Sequence, residues 1–152
     1  MKQLLALALF LIMASATASA QKVEAKPPSD NTTSPADAAA REATDKLVAK
    51  YTLNADQAKE MYTVQQRKQR NLGQLEPLKT SDRSLYLAKL ESLQKGTLAS
   101  IRRILRTKEQ VELYQKTQAE VRTQRAVKRK ELTGKNTSKE DMQAALLEIY
   151  AE

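Results

Sequence analysis

Helix starts punctuate this chain, and strand signals do not. Ser34 stands ahead of Pro35, a residue suited to the first helical position, and Asp37 completes a capping box; Ala40, Ala43, Leu47 and Tyr51 then recur at helical spacing. Asn54 opens a second helix with Gln57 three residues on, and Leu53 is placed to staple against Ala58. Ala58, Met61, Leu72 and Leu75 supply its apolar positions, the stretch from Gln65 to Arg70 is polar throughout, and Pro77 ends or kinks it. Thr80 or Ser81 opens a third helix, in which Tyr86, Leu90, Leu93, Thr97, Ile101 and Ile104 form the strongest stripe, widened by Leu87, Leu98 and Leu105. Thr107 with Gln110 opens a fourth, anchored by Val111, Tyr114, Val121 and Leu132. It runs to Thr133, where Gly134 stops it, a length of about 27 residues or roughly 40 Å. Ser138 with Asp141 caps a short last helix bearing Met142, Ala145, Leu146 and Ile149. No run alternates or clusters β-branched residues as a strand does. The pattern predicts an all-α protein of four to five amphipathic helices.

The N-terminus reads as a secretory signal peptide. Lys2 precedes an apolar run from Leu4 to Met13, and Ala18, Ser19 and Ala20 supply an A-x-A site, predicting cleavage after Ala20. The apolar run is about half of the roughly 20 residues a membrane-spanning helix needs, so the mature form is expected to carry no transmembrane segment. The composition from Gln21, with Pro27, Pro28, Ser29, Asp30, Asn31, Thr32 and Thr33, buries too little surface to order itself. The expected organisation is therefore a signal peptide at 1–20, a flexible leader at 21–35 and a single all-helical domain at 36–152. The chain has no cysteine, so neither a disulfide nor an acylated cysteine is available.

The core of such a domain is thin. The one Phe, Phe10, lies in the signal segment and there is no Trp, so the side chains that bury the most area are missing and a homodimer would cover what a monomer leaves open. Net charge is +8 for the whole chain and +7 after cleavage, since Lys2 is the one charge removed. Exported proteins rarely meet nucleic acid, so the excess points to acidic polypeptides or anionic envelope surfaces.

The residue inventory argues against an enzyme. With no His and no Cys, the usual zinc, copper and nickel ligands and the common nucleophile–base pairs are missing. Carboxylate pairs such as Asp56 with Glu60, or Glu140 with Asp141, sit at helix N-termini, where they complement the dipole. Gly73, Gly96 and Gly134 are too scattered to cradle a phosphate. No catalytic residue, metal site or cofactor is expected.

Binding residues are easier to name. Arg67, Lys68 and Arg70 form one basic cluster, Arg102, Arg103 and Arg106 a second, and Arg122, Arg125, Lys128, Arg129 and Lys130 a third. The first reads as a solvated face. In the third, Arg122, Arg125 and Arg129 fall on one helix face, with no acidic residue from Arg122 to Lys130 to neutralise them, which favours binding. Arg102, Arg103, Arg106, Arg122, Arg125 and Arg129 are the expected binding residues for an acidic partner.

Two helix starts share a pattern at constant offset: Asn54, Gln57, Ala58 and Met61 correspond to Thr107, Gln110, Val111 and Tyr114. The stretches Leu53-Asn54-Ala55-Asp56-Gln57 and Arg106-Thr107-Lys108-Glu109-Gln110 resemble the repeated L-T-x-x-Q motif of the Spy and CpxP family of periplasmic stress chaperones. Asn54 stands where the family has Thr and Arg106 where it has Leu, with Leu105 one place earlier. The resemblance covers about Asp45 to Leu132. It implies an elongated, curved helical hairpin or bundle, paired as an intertwined antiparallel dimer, which shields unfolded or aggregation-prone clients on a basic, partly apolar face without ATP. The alternatives are a periplasmic regulator docking on an envelope stress sensor kinase, as CpxP-like members do, and an adaptor binding anionic envelope components.

Overall fold

The computed structural model describes residues 34–152; the expected signal peptide at 1–20 and most of the expected leader at 21–35 lie outside the described residues. The described chain is all-α, with helices α1 (Pro35–Tyr51), α2 (Ala55–Leu75), α3 (Leu78–Ser81), α4 (Arg83–Ile104), α5 (Lys108–Gly134) and α6 (Lys139–Glu148). No strand occurs among the described residues, and no described helix is long and apolar enough to cross a membrane.

Most helix starts fall where the polar residues place them. Ser34 Oγ accepts from the Asp37 backbone N–H at 3.2 Å, with Pro35 in the first turn, and Ser138 Oγ accepts from Asp141 at 3.1 Å. Asn54 and Thr107 both form complete capping boxes. Two expectations change. The third long helix, α4, is capped by Asp82, whose Oδ1 accepts from the Leu85 N–H at 2.9 Å, and not by Thr80 or Ser81. Those two residues belong to α3, a single turn that Pro77 starts by interrupting the path of α2. Gly134 is also helical, the last residue of α5, and the left-handed residue that turns the chain is Asn136, at φ 52°. Asn tolerates that conformation better than most residues with a Cβ.

Helices α1, α2 and α4 stack as antiparallel neighbours, and α6 runs parallel to α4. Gln66 Nε2 donates to Asp37 Oδ1 at 3.1 Å and Arg41 lies 5.2 Å from the Tyr62 ring centroid, so α1 runs back along α2. Along α4, Arg67 Nη2 reaches Ser100 Oγ at 2.9 Å while Gln57 Nε2 reaches the Ile104 carbonyl at 2.7 Å, which sets α2 and α4 antiparallel as well. Arg83 pairs with Asp141 at 2.7 Å and Gln143 donates to Glu91 at 3.2 Å, laying α6 beside α4.

The core gathers where the α1–α2 and α4–α5 turns meet. Leu47, Tyr51, Leu53, Met61, Val64, Ile101, Ile104 and Leu105 form one buried cluster, with Val48, Val111 and Tyr114 packed on it. Fully burying each such aliphatic side chain is worth about 1.5–3 kcal/mol, so this junction is the main source of apolar stability. Thr44 and Thr97, both buried, return their hydroxyls to the carbonyls of Ala40 at 2.7 Å and Leu93 at 2.8 Å, which makes their burial inexpensive.

Candidate functional site

The two helix starts that share a pattern in sequence meet in space. Gln57 Oε1 accepts from the Asn54 N–H at 3.1 Å, closing its capping box, and Gln110 Oε1 does the same for Thr107 at 3.2 Å while also accepting from the Arg106 N–H at 2.9 Å. The two amides then bond each other, Gln57 Nε2 to Gln110 Oε1 at 3.0 Å and Gln110 Nε2 to Gln57 Oε1 at 3.2 Å. Each spends its remaining donor on the last carbonyl of the opposite turn: Gln57 on Ile104 at 2.7 Å, Gln110 on Tyr51 at 3.2 Å. The two glutamines are 53 residues apart, as are the two carbonyls they reach. The repeat is therefore a reciprocal clasp, and both amides are buried, at 2% and 7% exposure.

The turns themselves differ. Tyr51 is followed by Thr52 in the left-handed region at φ 49° and then by Leu53, whereas Ile104 is followed by Leu105 in extended conformation and then by Arg106. Shifting the leucine one place earlier still delivers it to the core, where Leu53 and Leu105 are both buried. Arg106 is thereby released to the surface, where its guanidinium pairs with Glu60.

The basic residues fall into two groups around this clasp. Arg67 and Arg103 come together, with Lys89, along an open groove of about 540 Å³ between α2 and α4. Its lining includes Leu75, Leu93 and Thr97 and contains no carboxylate. The structure thus joins the first basic cluster to the second at a point sequence spacing did not mark. Arg102 faces elsewhere, its Nη1 donating to the Leu105 carbonyl at 3.4 Å as a cap for the end of α4.

On α5, Arg122, Arg129 and Lys130 are exposed and make no ion pair among the described residues. Val127 beside them is 66% exposed, an apolar contact on a cationic helix. Arg129 also lines a recess of about 310 Å³ with Met142, Leu146 and Lys139. The expected stripe of three arginines is broken at its middle: Arg125 turns inward, its Nε donating to the Ile149 carbonyl at 2.8 Å and its Nη2 to Gln94 Oε1 at 3.4 Å. At i+3 from Arg122 it lies close enough to the buried face of α5, which carries Val121, to be drawn into internal contacts.

A second polar centre went unread in the sequence. Gln65, inside the stretch of α2 that looks wholly polar, is fully buried and donates to Glu152 Oε2 at 2.8 Å, while Lys68 pairs with Glu152 Oε1 at 2.6 Å. Burial pushes the Lys50 ammonium below its ordinary range, partly offset by Glu120 and Glu152, and it bonds the Glu152 backbone oxygen. Burial likewise pushes the Tyr150 hydroxyl well above the usual tyrosine range, reinforced by Glu152, to which it donates at 2.7 Å. No pattern in the sequence signals these contacts, because single polar residues at helical spacing look like a solvated face.

Among the described residues no three carboxylates or other metal-ligating side chains converge. Comparison with protein-family models, with curated proteins and with solved structures found no match.

Proposed function

We propose that this chain is an ATP-independent, chaperone-like protein of the periplasm, of the Spy and CpxP kind, that binds unfolded or aggregation-prone envelope proteins. The observation that carries the reading is the groove between α2 and α4, where Arg67, Lys89 and Arg103 surround Leu75 and Leu93 with no carboxylate to neutralise them. Unfolded chains offer acidic and apolar groups in no fixed order. A surface that combines uncompensated cations with a few apolar contacts attracts them at long range and holds them weakly. Arg122, Arg129, Lys130 and Val127 extend the same chemistry along α5. The paired Leu53–Gln57 and Arg106–Gln110 starts support the family reading, since two copies of one motif build a single clasp. The reading assigns no catalytic step, metal or cofactor, and takes the working form to be a homodimer.

The test is light scattering of a chemically denatured, aggregation-prone protein diluted with and without the purified chain, no nucleotide present. Suppression at near-stoichiometric amounts is the expected result. Arg103→Gln, Arg122→Gln and Arg129→Gln combined should weaken it several-fold with helical content unchanged by circular dichroism. No suppression by the unaltered chain refutes the proposal, and dependence on one particular sensor or envelope partner would take its place.

A further inference from the structure

Beyond Glu148 the chain leaves α6 and crosses the bundle as a non-helical segment, Ile149 to Glu152, held by side chains of helices remote from it in sequence. Alternate carbonyls are gripped in turn. Gln94 of α4 donates to Leu147 at 3.0 Å, Arg125 of α5 to Ile149 at 2.8 Å, and Gln118 of α5 to Ala151 at 2.9 Å. These contacts read main chain and carry no side-chain preference. Selectivity comes at Glu152, whose two carboxylate oxygens take Lys68 Nζ at 2.6 Å and Gln65 Nε2 at 2.8 Å, and at Tyr150, whose ring lies 5.2 Å from the same Lys68 ammonium.

The receiving groups are covered by the segment they hold. Gln65 is 0% exposed, the Lys68 and Glu152 side chains are 18% and 10% exposed, and Gln65 Oε1 has no partner. Gln65 and Lys68 stand one turn apart on the same face of α2, and a segment that covers them without supplying an acidic group leaves a buried amide and a buried ammonium unpartnered, which is costly. Lys50, Lys68 and Arg125 bring three positive charges to a segment that contributes one negative charge through its side chains, with Glu120 acting on Lys50 and Glu91 near Arg125, so Lys68 is the cation that depends on Glu152 alone for an ion pair. Main-chain bonds for affinity with one side-chain pocket for selectivity is how extended peptides are recognised in general.

We propose that this crevice is a peptide-binding site for an extended segment with an acidic residue two positions after an aromatic one, and that residues 149–152 occupy it as an internal competitor. A segment of that kind exposed in another polypeptide displaces the resident one. Its apparent affinity is set by the fraction of molecules in which the crevice is open. The site uses residues other than the exposed cations on which client binding is proposed, so either assignment stands if the other falls.

The probe is a fluorescent peptide of sequence LEIYAE, followed by anisotropy. Tyr150→Ala with Glu152→Gln loosens the resident segment and should tighten peptide binding at least tenfold relative to the unaltered chain. Adding Lys68→Gln, or replacing the final acid of the peptide by glutamine, should each reverse that gain at least tenfold. An opened variant that keeps its helical content yet binds no peptide, or binds the acid-free peptide equally well, overturns the proposal. The unaltered chain gives a second reading that needs no variant. The amide chemical shifts of residues 150–152 should move toward unfolded-chain values at saturating peptide, and bound peptide with unchanged shifts there also overturns it.

Discussion

Replacing Gln110 by alanine removes one half of the amide clasp and leaves one N–H of Gln57 and the Tyr51 carbonyl without their partner, while Gln57 keeps its bonds to Asn54 and Ile104. The Gln110 side chain accepts from the Arg106 and Thr107 N–H groups and from Gln57 Nε2, and donates to the Tyr51 carbonyl and to Gln57 Oε1. The Arg106 and Thr107 amides lie near the surface and can turn to water. The Gln57 amide and the Tyr51 carbonyl belong to residues at 2% exposure and have less recourse. A buried polar group left without its partner costs about 1–3 kcal/mol, so two of them, with partial relief from water, give a loss of about 3 kcal/mol. At a urea slope of about 2 kcal/mol/M the denaturation midpoint falls by roughly 1.5 M. The assay is urea unfolding followed by circular dichroism, with exposed Gln115→Ala as a control expected to stay within about 0.5 kcal/mol. Gln57→Ala should cost a similar amount, and the double variant should lose about 1–3 kcal/mol less than the sum, because the second truncation removes a group already stranded. A Gln110→Ala loss below about 1 kcal/mol, or strict additivity with Gln57→Ala, would refute the clasp.

Three further outcomes follow from local geometry. Thr52 is β-branched and held at φ 49°, so Thr52→Gly should raise stability by about 1 kcal/mol in the same urea assay; a loss would show that its side chain holds the turn. Gly73 lies inside α2 with open space where a Cβ would stand, so Gly73→Ala should add about 0.4–1 kcal/mol, and a lower midpoint would contradict the helix there. The Ser138 hydroxyl and the Arg83 guanidinium hold the Asp141 carboxyl below the ordinary aspartate range, so its stabilising contribution is present above the unfolded value and is lost as pH falls through the folded one. An NMR titration should place its midpoint below that of a model peptide in the unaltered chain and higher in Arg83→Gln; the reverse order would rule out the pair.

The helices were legible in the sequence because their starts are written in short-range chemistry. Ser34, Asn54, Thr107 and Ser138 each bond a backbone amide two or three residues away, and such contacts need no knowledge of the fold. Asp82 was missed because Thr80 and Ser81, equally good caps by type, precede it and are absorbed into the one-turn α3. The repeated motif was visible, but its purpose was not, since a glutamine that closes its own capping box gives no sign that its remaining donor reaches a second glutamine 53 residues away. Gln65 and Arg125 misled for a related reason. Polar residues at helical spacing read as a wet face, and what turned these two inward was segment 149–152, whose docking is a purely tertiary contact.

Cations on α2, α4 and α5 that make no ion pair among the described residues are proposed to receive unfolded polypeptide, and amide chemical-shift mapping tests this most directly. The labelled chain would be titrated with a permanently unfolded, acidic polypeptide at low and at moderate salt. Shifts are expected to centre on Arg67, Lys89 and Arg103 in the groove and on Arg122, Val127 and Arg129 along α5, shrinking as salt screens the attraction. Shifts confined to other surfaces, or no shifts at concentrations that suppress aggregation, would contradict the proposal.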